Sequence, residues 1–155
     1  MPLTALFLYQ STSVSDLSPV NGMPLTRLVC NRNQIADLSP LKGMATLKEL
    51  NISANPLNDL SPLAGLSLES LNLCDCAATD VTPLAKLPLK FLALTPPRIT
   101  KGMDALRAIK SLERIGAKAP LWNWTTALPT AAEFWKKYDA GEFGSPARAS
   151  EPANK

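Results

Sequence analysis

The chain has 155 residues, 46% of them apolar, enough for one domain with a continuous core and too few to expect a second. Its net charge of +3 arises from 16 basic and 13 acidic residues without a block of like charge, which argues against a nucleic-acid footprint or an anionic-membrane footprint. No apolar run spans a bilayer and no basic stretch followed by an apolar one opens the chain, so a cytoplasmic location is expected, with Cys30, Cys74 and Cys76 as free thiols.

In chain order, Leu3, Leu6 and Leu8 begin a pattern that needs one extra residue to reach Val14. It returns as Leu25, Leu28, Cys30, Asn33, Ile35, then as Leu47, Leu50, Ile52, Asn55, Leu57. Two further units run Leu68, Leu71, Leu73, Cys76, Ala78 and Leu89, Leu92, Leu94, Pro97, Ile99. Between them stands a recurring phrase: Asp16-Leu-Ser-Pro-Val20, Asp37-Leu-Ser-Pro-Leu41, Asp59-Leu-Ser-Pro-Leu63 and Asp80-Val-Thr-Pro-Leu84, at intervals of 21, 22 and 21 residues. A period this short predicts a solenoid, whose apolar residues are buried only by stacking one unit on the next.

Each column has a physical reason. Alternation such as Leu28-x-Cys30 predicts a short strand with one buried side, and one strand per unit gives a parallel sheet. Asn33 and Asn55 turn the chain away from the sheet, their amides satisfying backbone groups that the turn would leave unpaired, and Cys76 takes the same column. Ser before Pro predicts a short 3₁₀ or α turn with the serine hydroxyl as cap and proline at the first helical position. Gly22, Gly43 and Gly65 give the chain room to swing into the next strand.

The spacing Leu-x-x-Leu-x-Leu-x-x-(Asn/Cys)-x-Leu resembles the leucine-rich repeat over roughly residues 1–116, in about five units. Repeat length and the Asp-Leu-Ser-Pro-Leu wording look most like the short bacterial, internalin type. That resemblance implies an α/β fold, a right-handed curved solenoid with its parallel strands on the concave side.

After Leu94 the pattern degrades at Thr95-Pro-Pro-Arg98. Lys101 to Ile109 reads as a longer amphipathic helix with Met103, Leu106 and Ile109 on one face, and Leu112 and Ile115 are placed to supply a last strand. Residues 117–143 hold most of the aromatics, Trp122, Trp124, Phe134, Trp135, Tyr138 and Phe143. Thr130-Ala-Ala-Glu133 is a capping box that predicts a helix from about 131 to about 139. These aromatics are expected to form a helical C-terminal cap over the last repeat, the alternative being a ligand-binding cluster. Residues 144–155, rich in Ser, Pro, Ala and charge, are expected to be a disordered tail.

At the other end, Met1-Pro-Leu-Thr4 repeats Met23-Pro-Leu-Thr26, so the first residue already occupies an internal column. With half of the burial of Leu3, Leu6 and Leu8 lost, at about 1.5–3 kcal/mol for a fully buried leucine, the deficit is roughly 2–5 kcal/mol. The expectation is that the chain continues a longer polypeptide or associates through its uncapped N-terminal strand. A truncated remnant that aggregates through this strand is the third reading. The Gly-Met-Pro-Leu-Thr wording and the ending Glu133-Phe-Trp-Lys-Lys-Tyr-Asp-Ala-Gly-Glu-Phe143 also look like the C-terminal repeat regions attached to some bacterial serine/threonine protein kinases. The chain itself carries no glycine-rich loop, His-Arg-Asp loop or Asp-Phe-Gly motif.

There is no histidine, which removes the usual general base and the commonest transition-metal ligand. Cys74-x-Cys76 lacks the spacing and ligand count of a zinc site, and the Asp column at 16, 37, 59 and 80 fits turn capping better than calcium. No enzyme activity, cofactor or metal is expected. What remains is the outward side of the strands, in three rows: Ala5, Arg27, Glu49, Ser70, Phe91; Phe7, Val29, Asn51, Asn72, Ala93; and Tyr9, Asn31, Ser53, Cys74, Thr95. These vary while the inward columns hold. The expected function is a non-catalytic interaction module that binds a protein or peptide through Phe7, Arg27, Val29, Glu49, Asn51, Asn72 and Phe91. The alternatives are the recognition region of a serine/threonine kinase whose catalytic domain lies elsewhere, and a solvated sheet that binds nothing specific.

Overall fold

A computed structural model of the protein describes residues 1–8, 13–119 and 124–144. Six strands, β1 (Ala5–Phe7), β2 (Arg27–Val29), β3 (Glu49–Asn51), β4 (Ser70–Asn72), β5 (Phe91–Ala93) and β6 (Arg114–Gly116), form one sheet in sequence order. Every neighbouring pair is parallel, and the register is the repeat itself: Leu6, Leu28, Leu50, Leu71, Leu92 and Ile115 lie side by side. Each strand is three residues long, one per repeat. This is an α/β leucine-rich-repeat solenoid.

Burial follows the inward columns. Leu25, Leu28, Cys30, Ile35, Leu47, Ile52, Leu57, Leu68, Leu71, Leu89, Leu92 and Leu94 are completely enclosed in one continuous core. Leu3 is 50% exposed and Leu6 and Leu8 are half-buried, so the first unit does lose the burial that its internal counterparts have. β1 is an edge strand, paired on one side with β2.

Asn55 links two units. Its Nδ2 donates to the carbonyls of Cys30 (3.0 Å) and Ile52 (2.9 Å), and its Oδ1 accepts from the buried Ile35 N–H at 3.0 Å. Asn33 Nδ2 repeats the donor pattern onto Leu8 (2.6 Å) and Cys30 (3.1 Å), but its Oδ1 has no partner among the described residues. Cys76 stands in for asparagine by directing its thiol to the Ile52 carbonyl at 3.2 Å.

The return side consists of 3₁₀ turns at Ser18–Val20, Ser39–Leu41, Ser61–Leu63 and Thr82–Leu84. Here the expected capping residue is corrected: the serine and threonine hydroxyls do not cap the turn. The aspartate two positions earlier does, its Oδ1 accepting from the backbone N–H of Ser18 (2.7 Å), Ser39, Ser61 and Thr82 (each 2.8 Å). The hydroxyls donate to the same carboxylates. A carboxylate accepts two bonds where a hydroxyl accepts one and must also donate, so Asp wins the position. Gly22, Gly43 and Gly65, with φ of 75°, 78° and 83°, then take the left-handed backbone that other residues resist.

At the C-terminal end, Pro96 and Pro97 cannot adopt the left-handed turn found at Arg32, Ala54 and Asp75, and a 3₁₀ turn at Pro96–Arg98 replaces it. α1 (Met103–Arg107) is shorter than the 101–109 expectation; Met103, Leu106 and Ile109 are nevertheless buried together. After β6 come a one-turn helix, α2 (Trp124–Ala127), and then α3 (Ala131–Asp139). Thr130 caps α3 with both halves of the capping box formed. The outer edge of β6 is occupied: Ile115 N–H donates to Pro129 and Ala131 N–H to Glu113, an antiparallel crossing of the last strand. Phe134 is fully buried against Trp135, Tyr138 and Phe143, and Arg107 lies 4.6 Å from the Trp135 ring while pairing with Asp139 at 2.5 Å. Trp122, and the expected tail beyond Gly144, lie outside the described residues.

Candidate functional site: the outward face of the sheet

The parallel register brings Ala5, Arg27, Glu49, Ser70, Phe91 and Arg114 into one row and Phe7, Val29, Asn51, Asn72, Ala93 and Gly116 into the next. All seven residues expected to meet a partner therefore share one face, but they are not equivalent on it. Phe7 is 50% exposed, and Val29 and Phe91 are half-buried. Arg27 and Glu49 form a two-point ion pair, Nε to Oε2 at 2.5 Å and Nη2 to Oε1 at 2.9 Å, with both side chains nearly half exposed. Such a pair contributes less than about 1 kcal/mol to folding.

Asn51 and Asn72 are different: they are 6% and 3% exposed, and their amide oxygens serve their own turns. Asn51 Oδ1 accepts from the Ser53 N–H (3.1 Å) and hydroxyl (2.8 Å), and Asn72 Oδ1 accepts from the Cys74 N–H at 3.1 Å. In the third row, Asn31 is buried and Thr95 Oγ1 accepts the Asp75 N–H at 2.8 Å, while Tyr9 lies outside the described residues. Two of the seven expected contacts thus commit their amide oxygens to their own turns.

The reason for part of this burial was not foreseen. Trp124, read as part of a cap over the last repeat, lies instead against the face of the sheet, where it closes a small cleft with Arg27, Val29, Glu49 and Asn51. Leu128, 1% exposed, seats on Ala93 and Cys74, and Ala119 packs beside them. The signal in the sequence was weak: two small residues, Ala93 and Gly116, at outward positions where the other units carry larger side chains.

Nothing on this face is chemically activated. Burial pushes the Cys30 and Cys74 thiols up to about 12 and the Cys76 thiol up to about 11, so none is a thiolate near neutrality. Among the described residues, no group of three or more His, Cys, Asp or Glu could hold a metal ion, and no helix is long and apolar enough to cross a membrane.

An in-register parallel ladder with an Asn or Cys linking successive turns defines the chain as a leucine-rich-repeat solenoid, and comparison with known proteins agrees. The family model described as leucine rich repeats (2 copies) matches residues 25–65. Among solved structures, the chain is similar to internalin C2 from Listeria monocytogenes, with 34% identity and a TM-score of 0.66 over 73% of this chain and 50% of that one. It is also similar to an internalin, inlF, from the same species, with 27% identity and a TM-score of 0.62 over 76% of this chain and 36% of that one. A curated relative, acidic leucine-rich nuclear phosphoprotein 32-related protein 1 from Oryza sativa subsp. japonica, is 44% identical over 63 residues, which are 37% of this chain and 13% of that protein. The chain thus spans half or less of the length of each of these relatives. It is a leucine-rich-repeat protein with repeats of the internalin-like type.

Proposed function

We propose that this chain is a non-catalytic interaction module that takes a protein or peptide partner on the concave, outward face of its sheet. Leucine-rich-repeat proteins generally act in protein–protein interaction, and their stacked strands offer a long, preorganised surface for it. The observation that carries the reading here is the N-terminal end of the face, where Phe7 is 50% exposed and pairs in register with Val29, next to the Arg27–Glu49 ion pair. An apolar ring next to a paired charge on a rigid sheet is the composition of an interface anchor with a polar rim. Phe91, one row over, would extend the contact, and Asn51 and Asn72 would add their amide nitrogens to it, their oxygens being committed to their own turns.

The test is affinity capture with the wild-type chain and with Phe7→Ser, Arg27→Glu and Phe91→Ala variants, each first checked for an unchanged circular dichroism spectrum. Loss of the same partners from the variants is expected. Undiminished recovery of those partners would remove this face from consideration.

A second reading places the same module at the C-terminal end of a serine/threonine protein kinase. It is favoured by the wording of the repeats and of residues 133–143. Reading the gene upstream of Met1 tests it: a glycine-rich loop, a catalytic Lys and a His-Arg-Asp loop in frame are expected, and their absence from a longer reading frame would end it.

A further inference from the structure

The C-terminal half of the outward face is already occupied by the chain itself. Ala93 in β5 and Gly116 in β6 are paired in register, and Leu128 fills the space above them. A Cβ built on Gly116 would stand 2.7 Å from Leu128 Cδ2 and 3.3 Å from Pro129 Cδ, so a side chain at 116 would force Leu128 to shift from its present seat. With Leu128 in place, Ala93 is completely enclosed and Cys74 is reduced to 8% exposure. Trp124, four residues earlier, reaches further along the same face to the cleft beside Val29 and the Arg27–Glu49 pair. The covering turn therefore spans the sheet from β6 toward β2.

This cover differs from the rest of the fold in how it is held. The strands beneath it belong to an unbroken ladder over a single core, whereas Leu128 belongs to a small separate cluster with Cys74 and Ala93. α2 is a single turn, and Arg114 Nη1 donates to the Leu128 carbonyl at 2.6 Å. On its C-terminal side the chain is anchored independently, through Pro129 and Ala131 to the edge of β6 and through the capped α3. Segments with few buried apolar contacts open locally, at much less cost than global unfolding.

We propose that the Trp124–Leu128 turn is a resident ligand of the concave face, seated through Leu128 and Trp124, and that it is exchanged for an apolar anchor presented by a protein partner. The proposal deepens the interaction reading above and rests on it, since it makes the covering turn a competitor for the same surface. It also fixes the chemistry of what the covered half accepts: a leucine-sized apolar group on the Ala93–Gly116 seat, with an aromatic ring toward Val29.

Cys74, beneath the cover, reports its opening without a partner, and Cys30 and Cys76, in the main core, serve as references in the same molecule. The full chain is exposed to a maleimide under native conditions, and the modification of each cysteine is followed by peptide mass spectrometry. Cys74 is expected to react at least about ten-fold faster than Cys30 and Cys76, because local opening is more frequent than unfolding. Gly116→Val, which fills the seat while keeping a residue suited to a strand, and Leu128→Ala, which empties it, should each raise the Cys74 rate about ten-fold further without changing the other two. Modification of Cys74 in step with Cys30 and Cys76 would overturn the proposal, because the turn would then be part of the cooperative fold. A Cys74 rate unaffected by either variant would overturn it equally, because Leu128 would not be what closes the face. If Gly116→Val fails to fold, Leu128→Ala and the wild-type comparison still decide. Because the assay uses no partner, its failure leaves the interaction reading standing, and failure of partner capture leaves the opening of the turn intact.

Discussion

Replacing Asn55 by alanine should cost far more than replacing Asn33, although the two residues occupy the same column and are equally buried, at 2% and 3% exposure. Asn55→Ala removes the acceptor of the Ile35 N–H, which is buried between two units and has no other partner assigned to it. An orphaned buried donor costs about 1–3 kcal/mol, and each lost bond to the Cys30 and Ile52 carbonyls adds roughly 0.5–1.5 kcal/mol. Those two carbonyls keep a second donor each, Asn33 Nδ2 and the Cys76 thiol, which holds their share near the lower end. The sum is about 2–4 kcal/mol. Asn33→Ala loses comparable donor bonds but also deletes an amide oxygen that is already buried without a partner. Relief of that penalty offsets about 1–2 kcal/mol, so the net loss should be no more than about 1 kcal/mol. Urea unfolding followed by circular dichroism measures both; with a slope of about 2 kcal/mol/M, the midpoints should fall by about 1–2 M for Asn55→Ala and under about 1 M for Asn33→Ala. Equal shifts, or a larger one for Asn33→Ala, would mean that the buried oxygen of Asn33 carries no such penalty.

Three further outcomes follow from the turns. Ala54 holds a left-handed backbone at φ 53°, and Ala54→Gly should raise stability by up to about 1 kcal/mol, seen as a higher thermal midpoint; a lower one would mean that the turn is not strained. Gly102 combines φ 97° with a backbone so close that an added Cβ would lie 2.5 Å from Thr82 N, so Gly102→Ala should lower the midpoint by an amount equivalent to about 2–3 kcal/mol, and a change under about 0.5 kcal/mol would count against the packing of α1 on that turn. Asp80 is held down to about 2 from an ordinary 3.8 by the Thr82 hydroxyl first, then by Lys101 and the Thr82 N–H. A depressed carboxyl contributes stability that is present above its unfolded value and lost as pH falls from about 4 toward 2. Asp16, Asp37, Glu69 and Glu133 are depressed as well and act with the same sign. Thermal midpoints should therefore fall between pH 4 and pH 2, and Asp80→Asn should show a smaller fall than wild type; an identical fall would mean that the bonds to Asp80 add nothing.

The sequence alone determined the repeat: its strand positions, its inward columns, the asparagine turn and the capping box of α3 could all be read from spacing. That was possible because a solenoid is built from neighbours. Each leucine meets the leucine one period away, so a period visible in the sequence is also the contact map. Even the lost burial of Leu3, Leu6 and Leu8 was legible on these terms. Small errors were local, such as giving the cap of the 3₁₀ turns to serine when the carboxylate two positions earlier is the stronger acceptor.

Only the tertiary structure decided which parts of the outward face are open. Leu128 meets Ala93 and Cys74 across 35 and 54 residues, and no periodicity relates them. Whether Gly116 is a seat or an ordinary strand glycine depends on the path of the chain after it, and that path is set by the edge pairing of Pro129 and Ala131 and by the docking of α3 through Phe134. The sequence could show that Phe7, Val29 and Phe91 point outward. It could not show that Asn51 and Asn72 spend their amide oxygens on their own turns, or that Trp124 lies over the sheet rather than over the end of the solenoid. Outward direction follows from a strand's two-residue alternation, but exposure depends on what the rest of the chain lays on top.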